Sequence, residues 1–76
     1  MDAYYRRIHL SQGHWYEAAP EDAWCEEACG PLFSCCTRRA RIQVHYADGC
    51  TQYMCANHAT RSGYDWRKAV AKANVR

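Results

Sequence analysis

The sequence predicts a small α+β domain: a central β-hairpin, a short helix before it, a helix after it, and a bound metal as staple. Three observations carry that expectation. The chain has 76 residues and six cysteines. Residues 38–55 alternate apolar and polar side chains on both sides of an Asp-Gly turn. A Cys-x2-His pair, Cys55 and His58, follows that alternation at once.

Size makes the staple necessary. A chain of this length forms one domain, residues 1–76, and buries only about 60–65% of the surface that its unfolded form exposes. Its apolar core alone is marginal, so disulfides or a metal are expected to supply the rest. No apolar run approaches the roughly 18–20 residues of a membrane span. Residues 1–20 contain Arg6 and Arg7 and no apolar stretch that ends in a small-residue cleavage site. No signal peptide is therefore expected. That reading places the chain in a reducing cytoplasm, where metal is favoured over disulfides. A buried pocket of several hundred cubic ångströms is hard to build at this length, so neither an enzyme nor a small-molecule substrate is expected.

The net charge of +2 conceals an asymmetry. Residues 1–36 carry two arginines against six carboxylates, a net −4, and residues 37–76 carry eight basic residues against two, a net +6. Such a split predicts an acidic face and a basic face, or two halves that neutralise each other on packing.

The elements follow in chain order. Residues 3–10 (AYYRRIHL) are aromatic and β-branched, and predict a strand with Tyr4, Arg6, Ile8 and Leu10 on one face. Gln12-Gly13 is a turn signal, after which His14, Trp15 and Tyr16 return antiparallel. Residues 20–29 (PEDAWCEEAC) predict a short helix. Pro20 suits its first position, Glu21 and Asp22 oppose the positive end of its dipole, and Gly30-Pro31 stops it. Cys25, Ala28, Cys29 and Leu32 would share its inner face.

The hairpin is the clearest element. Ala40, Ile42, Val44 and Tyr46 point one way; Arg39, Arg41, Gln43 and His45 point the other. A two-residue Asp48-Gly49 turn pairs Val44 with Tyr53, Tyr46 with Thr51 and Ile42 with Cys55. Gln52 and Met54 then fall on the wetter face. Farther on, Ser62 and Asp65 resemble a capping box. Trp66, Ala69, Val70 and Ala73 form a docking stripe, opposed by a basic ridge of Lys68, Lys72 and Arg76. The helix starts either at Ala56, with a break near Gly63, or only at Ser62.

Cys36, Cys55 and His58 carry the chemistry. Eighteen residues separate the two cysteines, and the hairpin between them brings its ends together. Zinc takes four soft or borderline donors in a tetrahedron, and a two-residue spacer lets both members of a pair reach one ion. Two other states compete. An iron–sulfur cluster needs four cysteines; Cys25-x3-Cys29-x5-Cys35 loosely matches the iron–sulfur regulators of actinobacteria, but the upstream cysteine is missing. Three disulfides would require export. Cys50, beside the turn, reads as a free thiol. His9, His14 and His45 read as ordinary surface or half-buried side chains, and Trp15, Tyr16 and Trp24 as core or as exposed anchors.

From Cys29 to Ala59 the chain resembles small treble-clef or zinc-ribbon proteins of actinobacteria and their phages. Tyr46-Ala47-Asp48-Gly49 and Cys55-Ala56-Asn57-His58-Ala59 carry the resemblance. It implies a zinc-finger-like fold with one structural Zn2+ per chain and no defined activity. Phe33 stands where the first Cys-x2-Cys pair would have its cysteine. The fourth ligand then comes from Cys29, Cys35 or Cys25; Cys29 is preferred because Cys29-Gly30 resembles a metal-knuckle turn. The expected ligand set is Cys29, Cys36, Cys55 and His58.

Two functions fit. One is a non-enzymatic protein-interaction module, such as a phage-encoded regulator or inhibitor of a host protein. The other is a nucleic-acid-binding finger that uses Arg38, Arg39, Arg41, Lys68 and Lys72. A thiol-based redox or metal sensor is a distant third.

Overall fold

The computed structural model describes residues 6–26, 28–29, 34–36 and 38–74. The expected positions Tyr4, Leu32 and Arg76 lie outside them, as do the side chains of Cys29 and Cys35. The architecture is small α+β: a four-stranded antiparallel sheet, a two-stranded ribbon and two helices.

The first hairpin forms, with a first strand shorter than the expected 3–10: Arg6, Arg7 and Leu10 fall outside it, and residues 3–5 lie outside the described residues. β1 (Ile8–His9) and β2 (Trp15–Ala18) pair antiparallel, Ile8 opposite Tyr16 and His9 opposite Trp15. A tight helical turn over Ser11–Gly13 joins them, with Gln12 and Gly13 both at positive φ (62° and 82°). The second hairpin consists of β5 (Ile42–His45) and β6 (Thr51–Met54). Pairing of β2 with β5, Tyr16 opposite Val44, fuses the two hairpins into one sheet of order β1-β2-β5-β6.

The register of the second hairpin differs by one residue from the expected one. Ile42 pairs with Met54, Val44 with Gln52 and His45 with Thr51. The loop causes the shift, because it has three residues instead of two. Gly49 N–H donates to the Tyr46 carbonyl at 2.9 Å, Tyr46 N–H donates to the Cys50 carbonyl at 2.8 Å, and Gly49 sits at φ 95°. This is a tight turn closed by a left-handed glycine, a common three-residue hairpin loop. Asp48 Oδ1 braces it by accepting from the Cys50 N–H at 3.0 Å. The slip brings Met54 into the core at 4% exposure and leaves Tyr53 half-buried.

The expected helix over residues 20–29 does not form. Ala23 N–H donates to the Pro20 carbonyl in a turn, after which the chain is extended. Trp24 pairs antiparallel with Arg39, Cys25 N–H donates to the Arg38 carbonyl at 3.0 Å, and Ala40 N–H donates to the Ala23 carbonyl at 3.0 Å. Glu26 then closes the outer edge of β6. Its N–H donates to the Tyr53 carbonyl at 2.9 Å and its Oε1 accepts from the Tyr53 N–H at 3.0 Å. These long-range bonds outweigh helix propensities worth a few tenths of a kilocalorie per residue. Beyond this strap, β3 (Ala28–Cys29) and β4 (Ser34–Cys35) form the ribbon.

After β6 come two helices rather than one. α1 (Ala56–Arg61) ends where Tyr64 N–H donates to the Ala59 carbonyl and Gly63 N–H to the Thr60 carbonyl, with Gly63 at φ 86°. That bond pair is the left-handed glycine stop of a Schellman motif. α2 (Trp66–Ala73) is capped by Asp65, which accepts from the Lys68 N–H at 3.1 Å. Ser62 is thus the end of α1, not a cap for α2.

The core consists of Tyr16, Ile42, Val44, Met54, Ala59 and Ala69, with Ile8, Tyr46, Tyr64 and Trp66 against it. α2 lies on β2 and β5 through the fully buried Ala69. Tyr16 ties the layers together: its hydroxyl accepts from the Asp65 N–H at 3.0 Å and its ring meets Tyr64 at 4.9 Å. On the other sheet face Trp15 stacks on His45 at 3.8 Å, with the Arg7 guanidinium 3.9 Å from the Trp15 ring. His45 Nε2 lies 3.3 Å from Glu17.

Removing the cap with Asp65→Ala should lower stability by about 1 kcal/mol. Ile42→Ala, at a fully buried position, should cost about 2–5 kcal/mol. Urea denaturation followed by circular dichroism measures both, and a larger loss for the cap than for the core change would contradict this packing.

Candidate metal centre

Four donor side chains converge at the foot of the ribbon. Cys25 lies on the strap that leads into β3, and Cys36 follows β4 directly. Cys55 directly follows β6 and is the N-cap of α1, and His58 lies in the first turn of that helix. Antiparallel pairing explains the convergence: strands that run out and back deliver residues distant in sequence to one end. The helical turn then folds His58 back over Cys55, with the Ala59 N–H donating to the Cys55 carbonyl at 2.9 Å.

The donor spacing suits a single ion. His58 Nδ1 is 3.2 Å from Cys55 Sγ and 3.4 Å from Cys25 Sγ, and Cys36 Sγ is 3.9 Å from Cys55 Sγ. All four ligand atoms lie within 4.8 Å of one another. A tetrahedron with metal–sulfur bonds of about 2.3 Å and metal–nitrogen bonds of about 2.0–2.1 Å has sulfur–sulfur edges near 3.8 Å and sulfur–nitrogen edges near 3.6 Å. The three cysteines are buried and His58 is partly exposed. Cys25, Cys36, Cys55 and His58 could therefore bind one metal ion.

Electrostatics prepare Cys55 for that role. Burial pushes its thiol up, but the facing backbone N–H and ring of His58 and the neighbouring Cys25 and Cys36 outweigh this and bring it down to about 7. A thiol in that range is substantially thiolate at neutral pH, the form that binds metal. Cys50 behaves oppositely. It is exposed at the hairpin tip, and its hydrogen bond to the Asp48 carboxylate raises its thiol above the ordinary value.

The chain matches no family model, no curated protein and no solved structure. The centre therefore rests on its own geometry.

Three of the four expected ligands, Cys36, Cys55 and His58, come together as their spacing predicts. Among the described residues Cys25 completes the cluster; the side chain of Cys29, which the sequence reading prefers as fourth ligand, lies outside them. With the strap extended, Cys25 points inward beside Ala23, while Trp24 and Glu26 are exposed. The backbone of Cys29 belongs to β3, past the foot of the ribbon. The basic residues lie outside the centre. Arg38, Arg39, Arg41 and Lys68 are exposed and Lys72 is half-buried. Among the candidate anchors, Tyr16 is core, Trp15 is half-buried and Trp24 is 53% exposed.

Cys25→Ser, Cys55→Ser and His58→Ala should each abolish the cooperative thermal transition seen by circular dichroism. Cys50→Ser should shift stability by no more than about 0.5 kcal/mol, as exposed substitutions do. If Cys50→Ser unfolds the domain and Cys25→Ser leaves it intact, the ligand assignment is wrong.

Proposed function

We propose that the protein is a non-enzymatic zinc module, with one structural Zn2+ per chain held by Cys25, Cys36, Cys55 and His58. The single observation behind this reading is the cluster of three thiols and one imidazole at tetrahedral spacing. Sulfur-rich sets of this kind favour zinc over harder cations. Four protein donors leave no open position for water, so the ion is structural rather than catalytic. Its binding contributes on the order of 10 kcal/mol to folding, comparable to the whole net stability of a small domain. The treble-clef or zinc-ribbon assignment belongs to this proposal, supported by the Cys55-x2-His58 pair at the junction of strand and helix.

The module works by docking on another protein, as a regulator or inhibitor would. The resemblance to small phage proteins makes a host protein the natural partner and the bacterial cytoplasm the site of action. The surface supports docking on protein more than on nucleic acid. Trp24, the most exposed aromatic among the described residues, lies under the Arg39 guanidinium at 4.7 Å. Glu21, Asp22 and Glu26 are exposed on the same strap. An aromatic anchor amid both charge signs suits a protein interface, whereas acidic residues beside the arginines repel a phosphate backbone. Among the described residues no helix is long and apolar enough to cross a membrane.

Native mass spectrometry of the purified chain should show one zinc, lost to a chelator together with the folded circular dichroism signal. Acid should release the metal too, because protons compete for the three thiolates and the imidazole, so affinity falls as pH falls. A metal-free mass six protons lower, the signature of three disulfides, would overturn the reading. Submicromolar binding of DNA at physiological salt, lost in the Arg39→Ala/Arg41→Ala double variant, would replace protein docking with nucleic-acid binding.

A further inference from the structure

A groove of about 370 Å³ runs between residues 18–21 and the last turn of α2. Ala18, Ala19, Ala40, Val70 and Ala73 give it an apolar lining. Arg39 and Arg41 border it, two residues apart in an extended segment and so on the same side, with the buried Ala40 between them. Glu21 and Asn74 line the groove as well.

Both guanidiniums are pre-oriented. Arg39 lies over the Trp24 ring at 4.7 Å, and its Nη1 donates to the Glu21 carbonyl. Arg41 lies over the Trp66 ring at 5.5 Å. Stacking on an aromatic face holds the guanidinium plane and leaves donors along its edge for a planar anion. Among the described residues no carboxylate pairs with either arginine.

We propose that this groove binds an extended segment of a partner protein through one carboxylate side chain flanked by apolar residues. The carboxylate accepts hydrogen bonds from Arg39 and Arg41, and the flanking side chains lie on the alanine and valine lining. This rests on the protein-docking reading above and names the chemistry of its partner. Charge complementarity selects the occupant: two oriented guanidiniums beside an apolar floor match one acid within an apolar segment. A run of phosphates matches less well, because Glu21 in the lining and the exposed Asp22 beside it oppose several negative charges more than they oppose one. A carboxylate–guanidinium contact also has the planar, two-pronged geometry that a stacked arginine presents.

The test is an NMR titration of the full, zinc-loaded, 15N-labelled chain with three probes. These are acetyl-Ala-Leu-Glu-Leu-Ala-amide, its Gln counterpart and a single-stranded thymidine oligonucleotide. The Glu peptide should shift the amides of Ala18, Ala19, Val70 and Ala73 and the side-chain Nε signals of Arg39 and Arg41. The Gln peptide should bind about tenfold more weakly, as should the Glu peptide to Arg41→Gln, the usual scale for losing one hydrogen bond between charged groups. Arg41→Lys keeps the charge without the fork and should fall between the two; it carries the comparison if Arg41→Gln does not fold. Equal binding of the Glu and Gln peptides, or shifts confined to another face, overturns the proposal. If no probe binds, the groove assignment fails while docking through another surface stands. If only the oligonucleotide moves the arginine signals, both the groove assignment and the protein-docking reading fail.

Discussion

The meeting of Cys25, Cys36, Cys55 and His58 is the constraint on which the rest of this small structure depends. It brings together the strap before the ribbon, the end of the ribbon, the residue after β6 and the first turn of α1. The alternative is three buried thiols and an imidazole packed together for their own sake. Cysteine does pack as a small hydrophobe, but packing alone gives no reason for His58 Nδ1 to lie within 3.4 Å of two sulfurs.

Holding Cys25 also settles how the sheet ends. β6 is an outer strand, and unpaired backbone on an outer strand invites pairing with another chain. Glu26, next to Cys25, satisfies both the N–H and the carbonyl of Tyr53 on that edge. On the other side of Cys25, Trp24 pairs with Arg39 and supports its guanidinium. One ligand therefore sits between a residue that closes the sheet edge and a residue that shapes the outer surface. The candidate metal cluster, edge protection and the orientation of Arg39 are linked through three consecutive residues.

Much of this was legible in the sequence wherever local chemistry decides structure. Alternation identified Ala40, Ile42 and Val44 as inward-facing, and all three are buried. The Cys55-x2-His58 pair fell at a strand end and a helix start, as expected. The failures lay where two patterns fit the same residues. Ala23, Trp24, Cys25 and Glu26 satisfy an alternating extended pattern as well as a helical one, and only pairing with residues 38–40 and 53, invisible to local reading, decides between them. Preference for Cys29 over Cys25 rests on the likeness of Cys29-Gly30 to a metal-knuckle turn, a local cue that says nothing of how the strap pairs with residues 38–40. Asp48-Gly49 likewise serves a two-residue or a three-residue loop, and the difference of one residue moved Met54 from the wet face to the core. Fusion of the two hairpins through β2 and β5 left no local mark at all, since it depends on which apolar faces meet.

The apolar core and the metal centre are adjacent along the chain as well as in space. Met54 belongs to the core and Cys55 to the centre; His58 belongs to the centre and Ala59 to the core. Each crossing takes a single residue, and each lies at an end of the same short turn. A displacement of Cys55 therefore changes the direction in which Met54 enters the core, and a displacement of His58 turns Ala59, which is fully buried. In a larger protein a metal site can loosen while the core persists, because many residues separate them. Here the core among the described residues consists of six buried residues, and two of them adjoin Cys55 and His58 in the chain. The cysteine–histidine cluster and the core are thus joined directly, with the Met54–Cys55 and His58–Ala59 peptide bonds as the links between them.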